Sequence, residues 1–397
     1  MSDSLVSLAP GRDLLKPDAS RSSNQLCIVF TGSGSEYFRI WIVNLLLTLV
    51  TLGVYSPWAK ARRLRYFYGN TVVDGEPLGF HGDPKKMFKG FVLVGLLFGL
   101  YSVAGNFSAM AGFVAFLIVA AIWPALFKSA MQFRLANTSW RGLRFRFNGS
   151  LAGAYTAWAP LFAFGAVLAG FPFFLPNADM EKETAVLAKL GAMWPVMLAV
   201  MLTGIAATPV LMWNLKKYQH NHYALATLQT SFKATVASFY MLYFKMVLLM
   251  LVLLSTVAIL GYALVTVSDL LPQWMVSAKI VVWIAGMIVM FVLIKSYSIS
   301  RMQNLVWTQT GNASLHFTST LRFNSLLWLN IKNWFFIIMT LGLYWPFAAI
   351  ALMRLRVEAV SVKTSFDVET MVIHIKTVEG EAAGDASGDF FGIEIGL

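Results

Sequence analysis

Tyr55-Ser-Pro-Trp-Ala-Lys-Ala-Arg-Arg-Leu-Arg-Tyr-Phe-Tyr-Gly-Asn-Thr71, followed nine residues on by Phe80-His-Gly82, is the stretch whose recurrence decides the fold. A second copy sets Pro124 fourteen residues before Thr138, as Pro57 stands before Thr71, and repeats the offsets of Gly75 and Phe80 with Gly142 and Phe147-Asn-Gly149. A third keeps Pro209 and Phe232-Lys-Ala234 twenty-three residues apart, as Pro57 and Phe80 are. The fourth has lost the Pro but keeps Asn312 at the Gly offset and Phe317-Thr-Ser319. The fifth restores the opening: Thr340-Leu-Gly-Leu-Tyr-Trp-Pro-Phe-Ala348 overlays Thr51-Leu-Gly-Val-Tyr-Ser-Pro-Trp-Ala59 without a gap. Such a period makes each copy one supersecondary unit, whose apolar face is covered by stacking on its neighbours.

Composition sets the surroundings of those units. With 58% hydrophobic and 13% charged residues and a mean hydropathy of +0.66, the chain reads as a multi-pass membrane protein. Apolar runs long enough to cross a bilayer, about 20 residues each, fall at 87–105, 107–127, 152–175, 192–213, 239–267 and 278–297. The segments between them alternate in basic residues: 176–191 and 268–277 carry no bases but Lys182 and Lys189, whereas 58–86 carries Lys60, Arg62, Arg63, Arg65, Lys85 and Lys86. Arg134, Arg141, Lys216, Lys217, Arg354 and Arg356 fall on the basic side as well, which the positive-inside rule makes cytoplasmic. Much of the net charge of +12 is therefore topological, and nucleic acid is not the partner it implies. The first thirty residues mix acids and bases without a signal-like apolar run, so both termini are expected in the cytoplasm.

Two shorter apolar runs, 38–54 and 326–341, leave a choice of path. The first, near 24 Å at about 1.5 Å per residue, is short of the roughly 30 Å core. Either it crosses once, or it turns at Gly53 and Pro57 and returns as a re-entrant hairpin. The hairpin is preferred because 326–356 repeats the order helix, Thr-Leu-Gly, Pro, basic helix, and backbone freed at Gly342 and Pro346 is tolerated at depth when other helices cover it. Thr71-Val-Val-Asp-Gly75 with Leu78-Gly-Phe-His81 has the content of a β-hairpin. Arg144-Phe-Arg-Phe147 and Ser365 to Ile375 alternate as strands do.

The run from Phe30-Thr-Gly-Ser-Gly-Ser-Glu-Tyr-Phe-Arg-Ile-Trp-Ile-Val-Asn44 through Thr71 resembles the signature of the YjgN-like family of bacterial inner-membrane proteins. The resemblance covers nearly the whole chain. It implies location and architecture, and, since the family's biochemical role is unknown, no catalytic residues to carry over.

Chemistry is then sought in the residues. None of the 19 acids sits in the centre of an expected span, so a carrier relaying ions through a buried carboxylate is disfavoured. Gly53/Pro57 and Gly342/Pro346 are helix breaks in corresponding positions, able in principle to expose carbonyls to a cation, more simply caps of short helices. Pro124 and Pro209 are the related positions of the other units. His220-x-His222 lacks an acid or Cys nearby and reads as solvated, so no metal is expected. Cys27, the only cysteine, excludes an intrachain disulfide. Gly32-Ser-Gly34 is a turn, lacking the rest of a dinucleotide or P-loop fingerprint. No nucleophile–base order emerges; neither an enzyme nor a cofactor is indicated. The best positive feature is the helix from Trp58, in which Lys60, Arg62, Arg63 and Arg65 alternate with aromatic and apolar residues, as suits anionic lipid headgroups; ordinary topological anchoring explains the same charges.

The expectation is thus an all-α multi-pass protein of about five degenerate helical-hairpin repeats with small cytoplasmic β-strand elements. It divides into a tail at 1–29, a membrane domain at 30–376 with six full spans and two short segments, and an acidic tail at 377–397. Its function is expected to be binding or moving a small molecule or lipid, or recruiting partners as a scaffold through the strands.

Overall fold

The computed structural model describes residues 24–170, 183–266, 273–373 and 375; the expected acidic tail at 377–397 and most of the N-terminal tail lie outside them. Ten helices run between strands in these residues: α1 (Gly34–Val50), α2 (Ser56–Gly69), α3 (Pro84–Phe107), α4 (Ala109–Ala136), α5 (Leu151–Gly170), α6 (Glu183–His220), α7 (Val236–Thr266), α8 (Gln273–Thr308), α9 (Phe323–Met339) and α10 (Trp345–Glu358). Six of them, α3 to α8, contain segments long and apolar enough to cross a membrane, and few residues of those segments are buried within the protein. Each helix packs on the next, and α10 closes the ring on α1.

The expected Thr-Leu-Gly breaks are helix stops of one design. Gly53 N–H donates to the Thr48 carbonyl at 2.8 Å and Leu52 N–H to that of Leu49, while Gly342 bonds Ile337 at 2.7 Å and Leu341 bonds Ile338. These are the paired bonds of a Schellman stop, with Gly53 at φ 92° and Gly342 at φ 93°. The Thr51 and Thr340 hydroxyls then accept from the N–H groups of Tyr55 and Tyr344, both at 3.0 Å. One side chain thus ends the first helix and starts the second, and Pro57 and Pro346 fill the first turn of α2 and α10. The chain reverses here: α1 runs away from the strands and α2 returns to them, as do α9 and α10. At about 1.5 Å per residue, the 17 residues of α1 and of α9 rise about 25 Å, against about 42 Å for the 28 residues of α4.

The strands are more extensive than the small elements expected. They are β1 (Asn24–Phe30), β2 (Thr71–Val73), β3 (Glu76–Phe80), β4 (Thr138–Trp140), β5 (Leu143–Phe147), β6 (Tyr223–Leu225), β7 (Leu228–Gln229), β8 (Ser231–Phe232), β9 (Thr310–Gly311), β10 (Leu315–Ser319) and β11 (Val360–Thr364). All pairings are antiparallel, in the order β7-β6-β5-β4-β3-β2-β1-β11-β10-β9-β8. Only Thr230 separates β7 from β8, so the two ends of this order meet as one bent strand and the sheet closes into a barrel of ten staves. Asp74-Gly75 and Arg141-Gly142 are two-residue hairpin turns with positive φ at both positions, the form that matches strand twist. The Asp74 carboxylate meets the Arg141 guanidinium at 2.8 Å across the neighbouring turns.

One hydrogen bond recurs where each helix pair leaves and re-enters the barrel. Thr31, His81, Asn148, Lys233 and Thr320 donate their N–H groups to the carbonyls of Asn70, Asn137, His222, Gln309 and Ala359, at 2.8–3.0 Å. The residues just before these donors are Phe30, Phe80, Phe147, Phe232 and Ser319, all buried. The fourth copy's register therefore needs correction: Ser319 pairs with Val360 as Phe80 pairs with Thr138, so Ser319 takes the place that the sequence comparison gave to Phe317. Two further corrections concern the ends. β1 begins at Asn24, inside the segment expected as a tail. The alternation from Ser365 to Ile375 is not a strand: residues 368–373 and 375 are helical, with the Asp367 carboxylate accepting from Glu369 N–H and Thr370 Oγ1. Val368, Met371, Val372 and Ile375, at helical spacing, pack with Leu26, Trp140, Leu143, Leu228 and Val362 against the barrel end remote from the helices.

Candidate functional site

The even-numbered helices run toward the barrel, and because Cβ atoms tilt toward a helix N-terminus, basic side chains in their last turns reach back into the ring. Arg134 and Arg356 each stand three residues before the carbonyl that anchors the helix end, Asn137 or Ala359, and Lys216 stands six before His222. Lys60, on α2, is within electrostatic reach of Arg63 and Arg134; Lys216, on α6, is within reach of Arg356 and Arg134. Helices α6 and α10 do not adjoin in the ring, since α7, α8 and α9 intervene, so a Lys216–Arg356 interaction places both side chains toward its interior. Four cations from four helices are thus linked by electrostatic reach, Arg134 to both lysines and Lys216 to Arg356.

Their partners are neutral. The Arg356 Nε donates to Gln303 Oε1 at 2.8 Å, and Gln303 Nε2 donates back to the Arg356 carbonyl at 2.8 Å. Lys216 Nζ donates to Gln219 Oε1 at 3.3 Å. No described carboxylate forms an ion pair with any of the four. Burial holds the Lys60 ammonium below its usual pKa of 10.5, with Arg63 and Arg134 adding to the effect, and burial likewise lowers Arg356. Lys60, Arg134 and Arg356 nevertheless remain exposed, and Lys216 is partly buried. Uncompensated cations of this kind attract an anion.

Arg134 also stands at the mouth of a chamber of about 390 Å³ inside the barrel. Tyr68, Thr138, Tyr223 and Trp307 share the mouth, and Ile28, Val73, Leu78, Phe317 and Val362 are among the apolar walls. Burial pushes the Tyr223 phenol up to about 12, opposed by the nearby Arg134 charge. Phe366, Val368 and Met371 line the far end.

The other sequence-selected residues separate. Trp58 turns outward, stacked on Tyr55 with centroids at 6.2 Å and tilted against Phe88 of α3 at 5.5 Å. Arg65 donates to the Gly82 carbonyl at 3.3 Å, Arg63 lies near Tyr37, and Arg62 is exposed. Of the basic block on α2, Lys60 joins the group, with Arg63 within electrostatic reach of it. Gly53 and Gly342 lie at the hairpin tips with no atom within 4 Å of an added Cβ, while Pro57, Pro124, Pro209 and Pro346 are buried in helices; the breaks serve as connections. His220 is enclosed by Tyr223, Phe232 and Trp307 and meets Thr310 Oγ1 at 3.0 Å. His222 turns instead to the Tyr218 carbonyl at 2.7 Å. The two rings hold no common ligand, and no metal-ligating cluster occurs among the described residues.

Arg134, Lys216 and Arg356 entered the sequence reading only as markers of the basic side. Arg134 and Arg356 share an offset of three residues from the anchoring carbonyl, a signal that only the aligned ends of the second and fifth copies carry.

Comparison with known proteins agrees with this architecture and adds no chemistry. The protein called Inner membrane protein YjgN of Salmonella typhimurium is 32% identical over 151 residues, 38% of each chain. Its namesake in Escherichia coli K12 is 29% identical over 162 residues, 40% of each chain. The match thus spans about two-fifths of the length of these relatives. No solved structure matches the chain. Six apolar helices and these relatives make it a bacterial multi-pass inner-membrane protein. Residues 25–390 match the family described as bacterial protein of unknown function (DUF898), and the chain belongs to that family.

Proposed function

We propose that this protein binds, and moves within the membrane, an anionic amphiphile, a lipid or lipid-like small molecule whose headgroup is taken by Lys60, Arg134, Lys216 and Arg356. It does so as a ring of five degenerate helical-hairpin units, with the barrel on the cytoplasmic side and no carboxylate relay or catalytic step. The observation that carries this reading is the convergence of four cations from separate helices with no carboxylate beside them. The low wall formed by α1–α2 and α9–α10, which are neighbours in the ring, gives a lipid a lateral way in. Recruitment of partners by strand addition is less well supported, because the closed barrel leaves no unpaired edge for another strand.

The test compares two neutralised proteins. Replacing Lys60, Arg134, Lys216 and Arg356 by Gln is expected to strip co-purifying phosphatidylglycerol, at about 1 kcal/mol per charge at low salt and less at high salt. Changing Arg62 and Arg65 to Gln is expected to leave most of it, since Arg65 is held at the Gly82 carbonyl and Arg62 is exposed. Native mass spectrometry reads the retained lipid; equal retention in the four-cation variant and the parent would overturn the proposal.

A further inference from the structure

An eight-stranded barrel is just wide enough for its inward side chains to fill. This one has ten staves, and its interior keeps a chamber of about 390 Å³, walled by residues such as Ile28, Val73, Leu78 and Val362. That volume lies within the range of ligand cavities, about 300–1,000 Å³, which are typically apolar with a few polar groups that fix orientation. Here the polar groups are gathered at one end. Arg134, Thr138 and Tyr223 stand at the mouth facing the helix ring, whereas the short helix from Val368 packs over the opposite end. The chamber is therefore blind, and anything that enters comes from the side of the membrane helices. Its small size suits one hydrocarbon chain in place of two.

We propose that the chamber holds the hydrocarbon chain of a single-chain amphiphile, with its anionic head, carboxylate or phosphate, at Arg134. This rests on the reading of the converging cations as an anion site and names the class of ligand that completes it. The chamber takes the one chain of a lysolipid or fatty acid, whereas a two-chain lipid such as phosphatidylglycerol reaches the cations with its head alone and leaves its chains in the bilayer.

The intact protein in nanodiscs is irradiated with dodecanoic acid carrying a terminal diazirine, and the adducts are mapped by peptide mass spectrometry. We expect adducts on the strands at 24–30, 71–80 and 360–364, competed by laurate and by a lauroyl lysophosphatidylglycerol but not by inorganic phosphate. The competitor effective at lower concentration identifies the head as carboxylate or phosphate. Adducts confined to the membrane helices, or barrel adducts insensitive to both competitors, would overturn the proposal. Ile28→Trp and Val362→Trp, each filling the chamber, should reduce labelling at least tenfold while phosphatidylglycerol retention stays at the parental level. Undiminished labelling of both variants sinks the chamber alone, whereas parental lipid retention in the four-cation variant sinks the headgroup reading and, with it, the role of Arg134 here.

Discussion

Lys60 sits about one turn into α2, where desolvation and two guanidinium neighbours hold its pKa below 10.5. A lysine whose folded-state pKa is depressed is destabilised in its charged form, so protonated Lys60 costs stability below the folded pKa, and that cost disappears as pH rises through it. An anion beside it reverses the balance by favouring the charge. Anionic lipid affinity is therefore expected to fall as pH rises through the lowered Lys60 pKa, at a pH below that of an ordinary lysine. Lys60→Arg should flatten this profile while keeping affinity at neutral pH; a profile unchanged by that substitution would remove Lys60 from the site. The same sign makes Lys60→Gln stabilising in lipid-free protein, so binding and thermal stability should move in opposite directions. None of this was legible in the sequence beyond the presence of the charge. Lys60 looked like Arg62, Arg63 and Arg65, and what distinguishes it is which way α2 faces when the ring closes.

The helical hairpins show what a local sequence does specify. Thr51-Leu-Gly53 and Thr340-Leu-Gly342 carry their own stop, in which Leu52 at φ 49° and Leu341 at φ 50° precede glycines at still larger positive φ. Gly53→Ala and Gly342→Ala are expected to cost about 1–2 kcal/mol each, because a Cβ in left-handed backbone meets the following carbonyl, with no effect from crowding since the space around both is open. Thermal unfolding of the two variants in detergent checks this; a cost at Gly53 without one at Gly342 would show that the hairpins are not equivalent. The Asp74-Gly75 turn was readable for the same reason, as its chemistry is complete within four residues. Segment 365–375 misled because valine, isoleucine and histidine alternate there as in a strand. The Asp367 cap and the 368-371-372-375 spacing, once a barrel end is present to cover that face, decide for helix. Phe317 misled similarly: the pattern Phe-x-small was followed where the pairing partner, Val360, fixes the register on Ser319.

On the scale of the molecule, the closing pair is β1 with β11, from Asn24–Thr364 to Cys27–Ser361, which joins the two ends of the folded chain. The described strands then lie together in one sheet at one end of the helices. In a Cys27→Ser background, Asp74→Cys, Arg144→Cys and Lys363→Cys are expected to escape an impermeant thiol reagent in intact spheroplasts, while Ala185→Cys labels; labelling of the first three from outside would invert the orientation. Composition made the six long apolar helices legible. Closure was not, because it depends on the summed angle of five units and on Thr230 joining β7 to β8, a geometric result with no signature in any one segment. The converging cations share that origin, being neighbours only across the ring.

Leu52 and Leu341, at the tips of the two short hairpins, are 93% and 96% exposed. Beside helices of 24 residues and more, tips reaching only about 25 Å from the strands mean that the lipid around this protein meets walls of unequal height. A bilayer thins or tilts where the apolar wall is short, at a cost of a fraction of a kcal/mol per Å. The low sector is thus a fixed zone of hydrophobic mismatch, at which lipids are already strained and leave the leaflet more readily than elsewhere on the circumference. Uptake past Leu52 and Leu341 should accordingly depend on the acyl length of the surrounding membrane, quickening in thick bilayers and slowing in thin ones, with the bilayer itself supplying part of the driving force.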